Sequence, residues 1–383
     1  MQSIKSASGR LFSLDFLRGA DIFFLTVLSV LLYAVNEYSP LPKGLVDQLM
    51  HPDWVGFTVY DLIMPLFIFM CGAALPLALP RRLEENGKAG LKYWRHVFTR
   101  VAMLWVLGMI AQGKLFSLDL HEISFFNNTL QTIAVGYLIT AVVALIPSKS
   151  VQILVPFLLA AGYTAFLHLC GDMTATGNAA VVYETKFLRL FYSNESWWAV
   201  RQIADMHYTW WATVPMFGVM GLAGYHATKI LRDENRAKIA KAKLLFFAGL
   251  LQIALGLVLS FTFDPCIKHI FTASFTFLAM GASFVLYSLC YWLFDIVEWR
   301  RGTSLISLFG RRSLLAYMLA ETCFKALPAS FPAAVLPGVK RFLSDGQFKL
   351  LATVLECAFL VFIVYVWDGF KKEKREKRVE GRG

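Results

Sequence analysis

His51 and Asp61 are the residues whose types and spacing best suit catalytic chemistry in this chain. His51 directly precedes a long apolar run, and Asp61 lies ten residues further on, inside that run. A helix through both residues would place Asp61 roughly 15 Å deeper than His51, at ~1.5 Å per residue. An Asp inside an apolar span is costly unless it is paired, whereas an imidazole can act as base or nucleophile near neutral pH. The pair indicates either a catalytic site or an interfacial His above a structural carboxylate.

A second group of charges lies in the first apolar run. Asp15, Arg18 and Asp21 are spaced three residues apart and share one helical face, so Arg18 can pair with either carboxylate. The group is interpreted either as a self-neutralised ion cluster at the cytoplasmic edge or as a cationic feature near a phosphate-bearing cofactor. Arg311 and Arg312 lie at the start of a later apolar run, at an end that is also predicted to be cytoplasmic.

Further polar and aromatic residues lie at the ends of apolar runs. They are expected either on the same side of the membrane as His51 or inside the helix bundle. Asn and Gln at such positions commonly hydrogen-bond one helix to another, which is the alternative to a binding role. The residues expected to line a site are Trp54, Asn128, Gln131, His207, Trp211 and Lys268.

The composition predicts an all-α polytopic membrane protein. Hydrophobic residues make up 57% of the 383 positions and charged residues only 16%, well below the quarter typical of soluble domains. With about 20 residues needed per span, about ten spans are expected. They are predicted at 16–36, 55–80, 99–116, 129–147, 151–169, 208–228, 244–263, 271–296, 312–327 and 349–368. Residues 1–370 then form one transmembrane domain, and 371–383 form a basic cytoplasmic tail.

The positive charges alternate in phase with these spans. Of the 37 Lys and Arg residues, 27 fall in segments that share one side of the membrane if the N-terminus is cytoplasmic. The positive-inside rule therefore predicts that both termini are cytoplasmic and that His51 faces the opposite side. The same clustering explains the net charge of +11 without nucleic acid as a partner.

Several function classes lack their sequence signatures. The chain has no Walker loop, no GxGxxG, no HExxH and no GxSxG element, which argues against ATP-driven transport and conventional hydrolases. The six Cys have no metal-binding spacing, and no metal is expected. A Cys170–Cys266 disulfide is left open.

Four motifs together resemble one family. They are SLDFLRG at 13–19, HPDWVGFTVYDLIMPLFIFMCGAALPLAL at 51–79, LQTIAVGYLI at 130–139 and SLLAYML at 313–319. In this order they resemble the transmembrane acetyltransferases related to heparan-α-glucosaminide N-acetyltransferase, including bacterial relatives. The segment that begins at His51 is the specific one.

The resemblance implies an acyltransferase that takes an acetyl group from cytoplasmic acetyl-CoA and passes it to an amino sugar or glycan on the far side. The family's proposed active-site histidine falls on His51, which would act as nucleophile or general base, with Asp61 to orient it. Contacts to acetyl-CoA are expected from Arg18, Gln131, Arg311 and Arg312. Acceptor contacts are expected from Trp54, Asn128, His207, Trp211 and Lys268.

Two departures from the family pattern concern the cofactor. The family's LQR motif reads LQT, with Thr132 in place of an arginine, and its GMNSLLAY reads GRRSLLAY, with Arg311 and Arg312. The absence of a large N-terminal luminal region fits a bacterial inner membrane. Membrane lipids are expected partners, and a homodimer remains an option.

Two rival functions stay open at this stage. A secondary transporter or flippase of a glycan or lipid precursor would also place polar residues and broken helices at span depth. An O-acyltransferase of a surface glycan would keep the topology and change the acceptor.

Overall fold

The computed structural model describes residues 11–79, 83, 89–192, 198–324 and 338–380. These residues form helices and no strands. The helices of the first half are α1 (Phe12–Phe23), α2 (Ser29–Tyr38), α3 (Lys43–Gln48), α4 (Ile63–Ala78), α5 (Leu91–Ala111), α6 (Thr129–Val143) and α7 (Lys149–Cys170). The helices of the second half are α8 (Ala179–Leu188), α9 (Trp198–Met206), α10 (Val214–Leu231), α11 (Lys238–Thr262), α12 (Ala273–Tyr291), α13 (Ser304–Arg311), α14 (Ser313–Met318) and α15 (Asp345–Glu380).

Six helical segments in the described part of the chain are long and apolar enough to cross a membrane. They are Phe12–Tyr38, Val59–Ala78, Lys149–Cys170, Lys238–Thr262, Ala273–Ile296 and Asp345–Lys371. Each coincides with a predicted span, and together they are consistent with an integral membrane protein. A seventh apolar helix, Thr129–Val143, is shorter.

The other predicted spans differ from these six. The spans at 99–116 and 208–228 overlap α5 and α10, which are helical but do not belong to the six. Helix α10 is largely surrounded by protein, so its side chains need not be lipophilic. The end of the predicted span 312–327 and the last residues of the predicted tail 371–383 lie outside the described residues.

The chain divides into two compact units. Unit 1 comprises Met1–Leu14 and His51–Glu298, and unit 2 comprises Asp15–Met50 and Trp299–Gly383. In unit 1, α10 is the central helix and packs against α4, α6, α7, α11 and α12. Helices α11 and α12 form a long pair beside it. In unit 2, α2, α13 and α14 all pack against α15.

Glycines allow the closest helix contact in unit 1, between α4 and α10. A Cβ on Gly72 would overlap the carbonyl oxygen of Gly221, and a Cβ on Gly224 would overlap the carbonyl oxygen of Phe69. Small residues at such crossings let helix backbones approach where lipid provides no hydrophobic driving force. This contact fixes α4, and Asp61 lies in the turn directly before this helix.

All six cysteines are free thiols, so the Cys170–Cys266 pair that the sequence left open is not formed. Cys266 is buried and its Sγ lies 3.4 Å from the carbonyl oxygen of Gly56. Cys170 is exposed.

Gly224→Ala is expected to lower the free energy of unfolding by about 1–3 kcal/mol, the usual range for overpacking a close contact. Thermal unfolding in detergent, followed by circular dichroism, measures the effect. The matched control is Gly162→Ala in α7, where a Cβ meets nothing within 4 Å. Equal melting temperatures for the two variants would contradict the close α4–α10 contact.

Candidate functional site

Asp61 lies at the N-terminal end of the second predicted span, not deep inside it. A 3-10 turn, Val59–Leu62, precedes α4, and Thr58 caps this turn. The Oδ2 of Asp61 accepts hydrogen bonds from the Thr58 backbone N–H at 2.9 Å and from its hydroxyl at 3.1 Å. The Asp61 N–H in turn donates to the Thr58 carbonyl at 3.1 Å. The carboxylate is therefore part of the helix start and is fully buried there.

His51 contacts Asp61 directly. Its Nδ1 lies 2.6 Å from Asp61 Oδ1, so the sequence-based separation of roughly 15 Å along a helix is wrong. Residues 51–58 are not helical. Pro52 disfavours helical geometry in the residue before it, and Gly56 has a φ of +149°, which favours glycine. The segment folds back and brings the imidazole to the helix start.

Lys268 completes the cluster from the loop between α11 and α12. Its Nζ lies 3.2 Å from Asp61 Oδ1. It also lies 3.2 Å from Nδ1 and 3.3 Å from Nε2 of His51. Nζ is therefore nearly equidistant from the two ring nitrogens. In the plane of the imidazole, such a position would overlap ring carbon atoms, so Nζ lies over the ring face.

Backbone and side-chain bonds fix the loop that carries Lys268. The Gly56 N–H donates to the Cys266 carbonyl at 2.8 Å, which ties this loop to the segment after His51. Asp264, fully buried, accepts the Ser274 N–H at 2.8 Å and lies 3.0 Å from His168 Nε2. The position of Lys268 is therefore set by two neighbouring segments of unit 1.

The hydrogen bonds around Asp61 determine the tautomer of His51. Lys268 and Thr58 are donors to this carboxylate, and the remaining close partner is His51 Nδ1. An ionised carboxylate only accepts, so Nδ1 must carry the proton. In the neutral imidazole, Nε2 is then the unprotonated nitrogen that can react, on a side chain that is 45% exposed.

The charge on Lys268 depends on two opposing effects. Burial lowers the pKa of Lys268 to about 8, and the Asp61 carboxylate acts in the opposite direction. The side chain is therefore mostly protonated at neutral pH. An ammonium this close to Nε2 can stabilise negative charge that develops on a group reacting there.

An aromatic layer lies beside the cluster. Trp54 stacks on His269 with ring centroids 5.3 Å apart, and its Nε1 donates to the Met173 carbonyl at 2.8 Å. His207 contacts the edge of Trp54 at 6.4 Å and has a φ of +52°, unusual for a residue other than glycine. Trp54 and His207 thus lie next to His269, the neighbour of Lys268 in the chain.

His269 belongs to this layer although the sequence reasoning did not assign it a role. Burial, and then the charge on Lys268, lower the pKa of His269 to about 4. It is therefore neutral at physiological pH. In the sequence, its position next to Lys268 in a short loop indicates a role for His269. Its contact with Trp54 is visible only in the folded structure.

Trp211 lines an aromatic cavity of about 540 Å³, together with Trp105, Phe126, Trp210 and Glu184. Both Glu184 oxygens accept the Trp210 N–H at 2.9 Å, and Oε2 also accepts the Ala212 N–H at 3.0 Å. Burial raises the pKa of Glu184 to about 7, and these N–H bonds oppose the shift. Stacked contacts from Trp210 to Tyr208, and an edge contact from Tyr208 to His269, link the cavity to the Trp54 layer.

Asn128 and Gln131 are held in local backbone hydrogen bonds. Asn128 caps α6 by accepting the Leu130 N–H at 2.7 Å. Gln131 accepts the Asn127 N–H at 2.9 Å and donates to the Phe125 carbonyl at 2.6 Å. These contacts order the segment before α6, which includes Phe125 and Phe126 of the aromatic cavity.

The predicted cofactor arginines lie in unit 2 and carry ion pairs. Arg18 lies 3.4 Å from Asp15. Arg311 and Arg312 both contact Asp368, each at 2.9 Å. Asp368 is buried and lies 57 residues after Arg311 and 56 after Arg312, so only the fold reveals it. Two guanidinium groups on one carboxylate leave one positive charge in excess.

No protein-family model and no curated protein matches the chain in sequence comparison.

Asp61→Asn is expected to cost about 3–5 kcal/mol of stability, because it leaves the buried Lys268 ammonium without its carboxylate. Asp205→Asn serves as the control, because Asp205 is exposed and pairs with Arg201 at 3.9 Å, a surface pair contributing about 0–1 kcal/mol. Denaturant unfolding in detergent compares them. The double variant Asp61→Asn/Lys268→Met should regain part of the loss. A single Asp61→Asn variant as stable as Asp205→Asn would refute the ion pair.

Proposed function

We propose that this protein is a transmembrane acetyltransferase that moves an acetyl group from cytoplasmic acetyl-CoA to an amino sugar or glycan. The proposal rests on the pair of His51 and Asp61: a partly exposed imidazole whose Nδ1 is bound to a buried carboxylate. A base oriented by a third group is the arrangement that acyl transfer uses in many unrelated folds. The resemblance of the segment from His51 to Leu79 supports the same reaction.

The reaction has two routes at His51. In the first, Nε2 attacks the thioester carbonyl, a bond forms from Nε2 to the acetyl carbon, and the C–S bond breaks to release coenzyme A thiolate. The acceptor amine then displaces the imidazole and loses a proton. In the second, Nε2 takes the proton of the acceptor ammonium, and the amine attacks the thioester directly. Either route yields an amide and free coenzyme A.

Lys268 is proposed to stabilise the oxyanion in both routes. Its Nζ is 3.3 Å from the reacting nitrogen and lies over the ring face. The oxygen of a carbonyl bound at Nε2, or approaching it, comes within reach of this ammonium. Asp61 holds both the imidazole and the ammonium, so one carboxylate orients the base and the electrophilic group.

The acceptor is proposed to bind on the aromatic side of the cluster. Trp54 and the aromatic cavity that contains Trp211 offer flat apolar faces of the kind on which sugar rings stack. The acetyl-CoA phosphates are proposed to meet Arg18, Arg311 and Arg312, the last two of which are held by one carboxylate, Asp368. The ten-span topology with cytoplasmic termini and a bacterial inner-membrane location are part of this proposal.

His51→Ala is expected to reduce acetyl transfer from radiolabelled acetyl-CoA to glucosamine at least about 1,000-fold, as removal of a nucleophile or base usually does. The purified protein in detergent is the sample, and labelled N-acetylglucosamine is the readout. His121→Ala, a histidine in an exposed loop, is the control and should keep wild-type activity. Full activity in His51→Ala would refute the site even if the reaction were correct.

The same sample separates the rival functions. Glucosamine or a glycan precursor that accumulates in proteoliposomes without release of coenzyme A would indicate a transporter. Label transfer to a hydroxyl acceptor, and none to glucosamine, would indicate an O-acyltransferase. Either result would replace the proposed reaction.

The rate of acetyl transfer should fall as pH rises through about 8, because Lys268 loses its proton there and the oxyanion loses its counter-charge. Below that pH Lys268 is charged and its contribution is complete. Lys268→Arg should move this decline to higher pH, since guanidinium stays protonated, and Lys268→Met should be slow at every pH. An unchanged alkaline limb in Lys268→Arg would show that another group titrates.

A further inference from the structure

A long groove lies on unit 1, and its lining does not include His51, Asp61 or Lys268. Its volume is about 960 Å³, and its walls come from α7, α10, α11 and α12. Helices α7 and α11 belong to the membrane-spanning candidates, and most of their surface is exposed. Three of the apolar side chains that line the groove, Ile153, Phe157 and Leu251, are more than half exposed. In a membrane these side chains face lipid.

One end of the groove is basic. Lys149, Lys229 and Arg236 line it, and Asp233 is the acidic residue in the lining. Asp233 already accepts the Arg236 Nε–H and the Asn235 N–H, at 3.0 and 3.1 Å. The charges of Lys149 and Lys229 repel each other, so an anion between them would relieve a repulsion.

The basic end is also built from fixed elements. Lys229 Nζ donates to Gln152 Oε1 at 3.1 Å, and the Gln152 amide donates to the carbonyls of Ala144 and Ile146. His226 Nε2 lies 3.1 Å from the Gln152 carbonyl. Helix α7 begins at Lys149, so the positive end of its dipole points to the same mouth. The cations are thus presented on ordered backbone.

The length of the groove matches one membrane leaflet. From Lys149 to Ala160, both in its lining, α7 advances about 16 Å at ~1.5 Å per residue. Half of the hydrocarbon core of a bilayer is about 15 Å thick. The basic end lies on the side that the charge bias predicts to be cytoplasmic, where anionic headgroups attract basic residues.

We propose that this groove binds one anionic diacyl phospholipid, with its phosphate between Lys149, Lys229 and Arg236 and an acyl chain along α7 and α11. The charge of the mouth selects the anionic headgroup. The long apolar part of the groove favours a lipid over a soluble phosphate, because a phosphate would leave the space between Ile153 and Leu251 unfilled. The site is independent of the acetyl-transfer proposal.

Native mass spectrometry of the full-length protein in detergent tests the site, with phosphatidylglycerol and phosphatidylcholine of identical chains as probes. Wild type should retain one phosphatidylglycerol in preference to phosphatidylcholine. Lys149→Ala/Lys229→Ala/Arg236→Ala should weaken phosphatidylglycerol binding by about ten- to a hundredfold, given the attraction that each basic residue adds. Binding of phosphatidylcholine should change little, which also shows that the variant is folded.

The matched control removes three exposed basic residues elsewhere, Lys92→Ala/Arg95→Ala/Arg301→Ala, for the same change in net charge. It should keep the preference for phosphatidylglycerol. Equal losses in both triple variants would show only diffuse attraction and overturn the site. Displacement of the lipid by glycerophosphoglycerol, which has no acyl chains, would make it a phosphate site. Displacement by acetyl-CoA would make it part of the cofactor path, and either result contradicts the proposal.

Discussion

A carboxylate that is fully buried must be surrounded by hydrogen-bond donors, and Asp61 is the carboxylate on which this site depends. Thr58, Lys268 and His51 supply those donors from three different places in the chain. The turn before α4, the non-helical segment after His51 and the loop before α12 all have to take their observed form to meet that demand. Structure and chemistry are coupled here: the bond that satisfies Asp61 also fixes the tautomer of the neutral His51 imidazole, with Nε2 as its unprotonated nitrogen.

The sequence predicts the long apolar helices well and the site in part. Six predicted spans coincide with helices long and apolar enough to cross a membrane, because a continuous apolar run leaves few alternatives. The separation of His51 and Asp61 was wrong because helical spacing was applied across Pro52 and Gly56, where the chain is not helical. Charge alternation predicts Lys268 on the same side as His51, and the two side chains are in contact.

Residue spacing and composition do not predict contacts between residues that are distant in sequence. Asp368 pairs with Arg311 and Arg312, and Glu184 receives the N–H groups of Trp210 and Ala212. Nothing in the sequence near these residues points to the other member of each contact. The same holds for the proposed lipid groove. In the sequence, the three basic residues Lys149, Lys229 and Arg236 indicate only which segments are cytoplasmic. The packing of α7, α10 and α11 brings them to one end of the groove.

Nitrogen NMR of the protein labelled with ¹⁵N-histidine tests the central claim most directly, because it reports which ring nitrogen of His51 carries the proton. The His51 signals are assigned by their loss in His51→Ala. At neutral pH we expect a protonated Nδ1 with a strongly hydrogen-bonded proton and an unprotonated Nε2, and we expect this proton signal to change in Asp61→Asn. A protonated Nε2 beside a bare Nδ1 would contradict the account, because the nitrogen assigned to acyl transfer would then have no lone pair to offer.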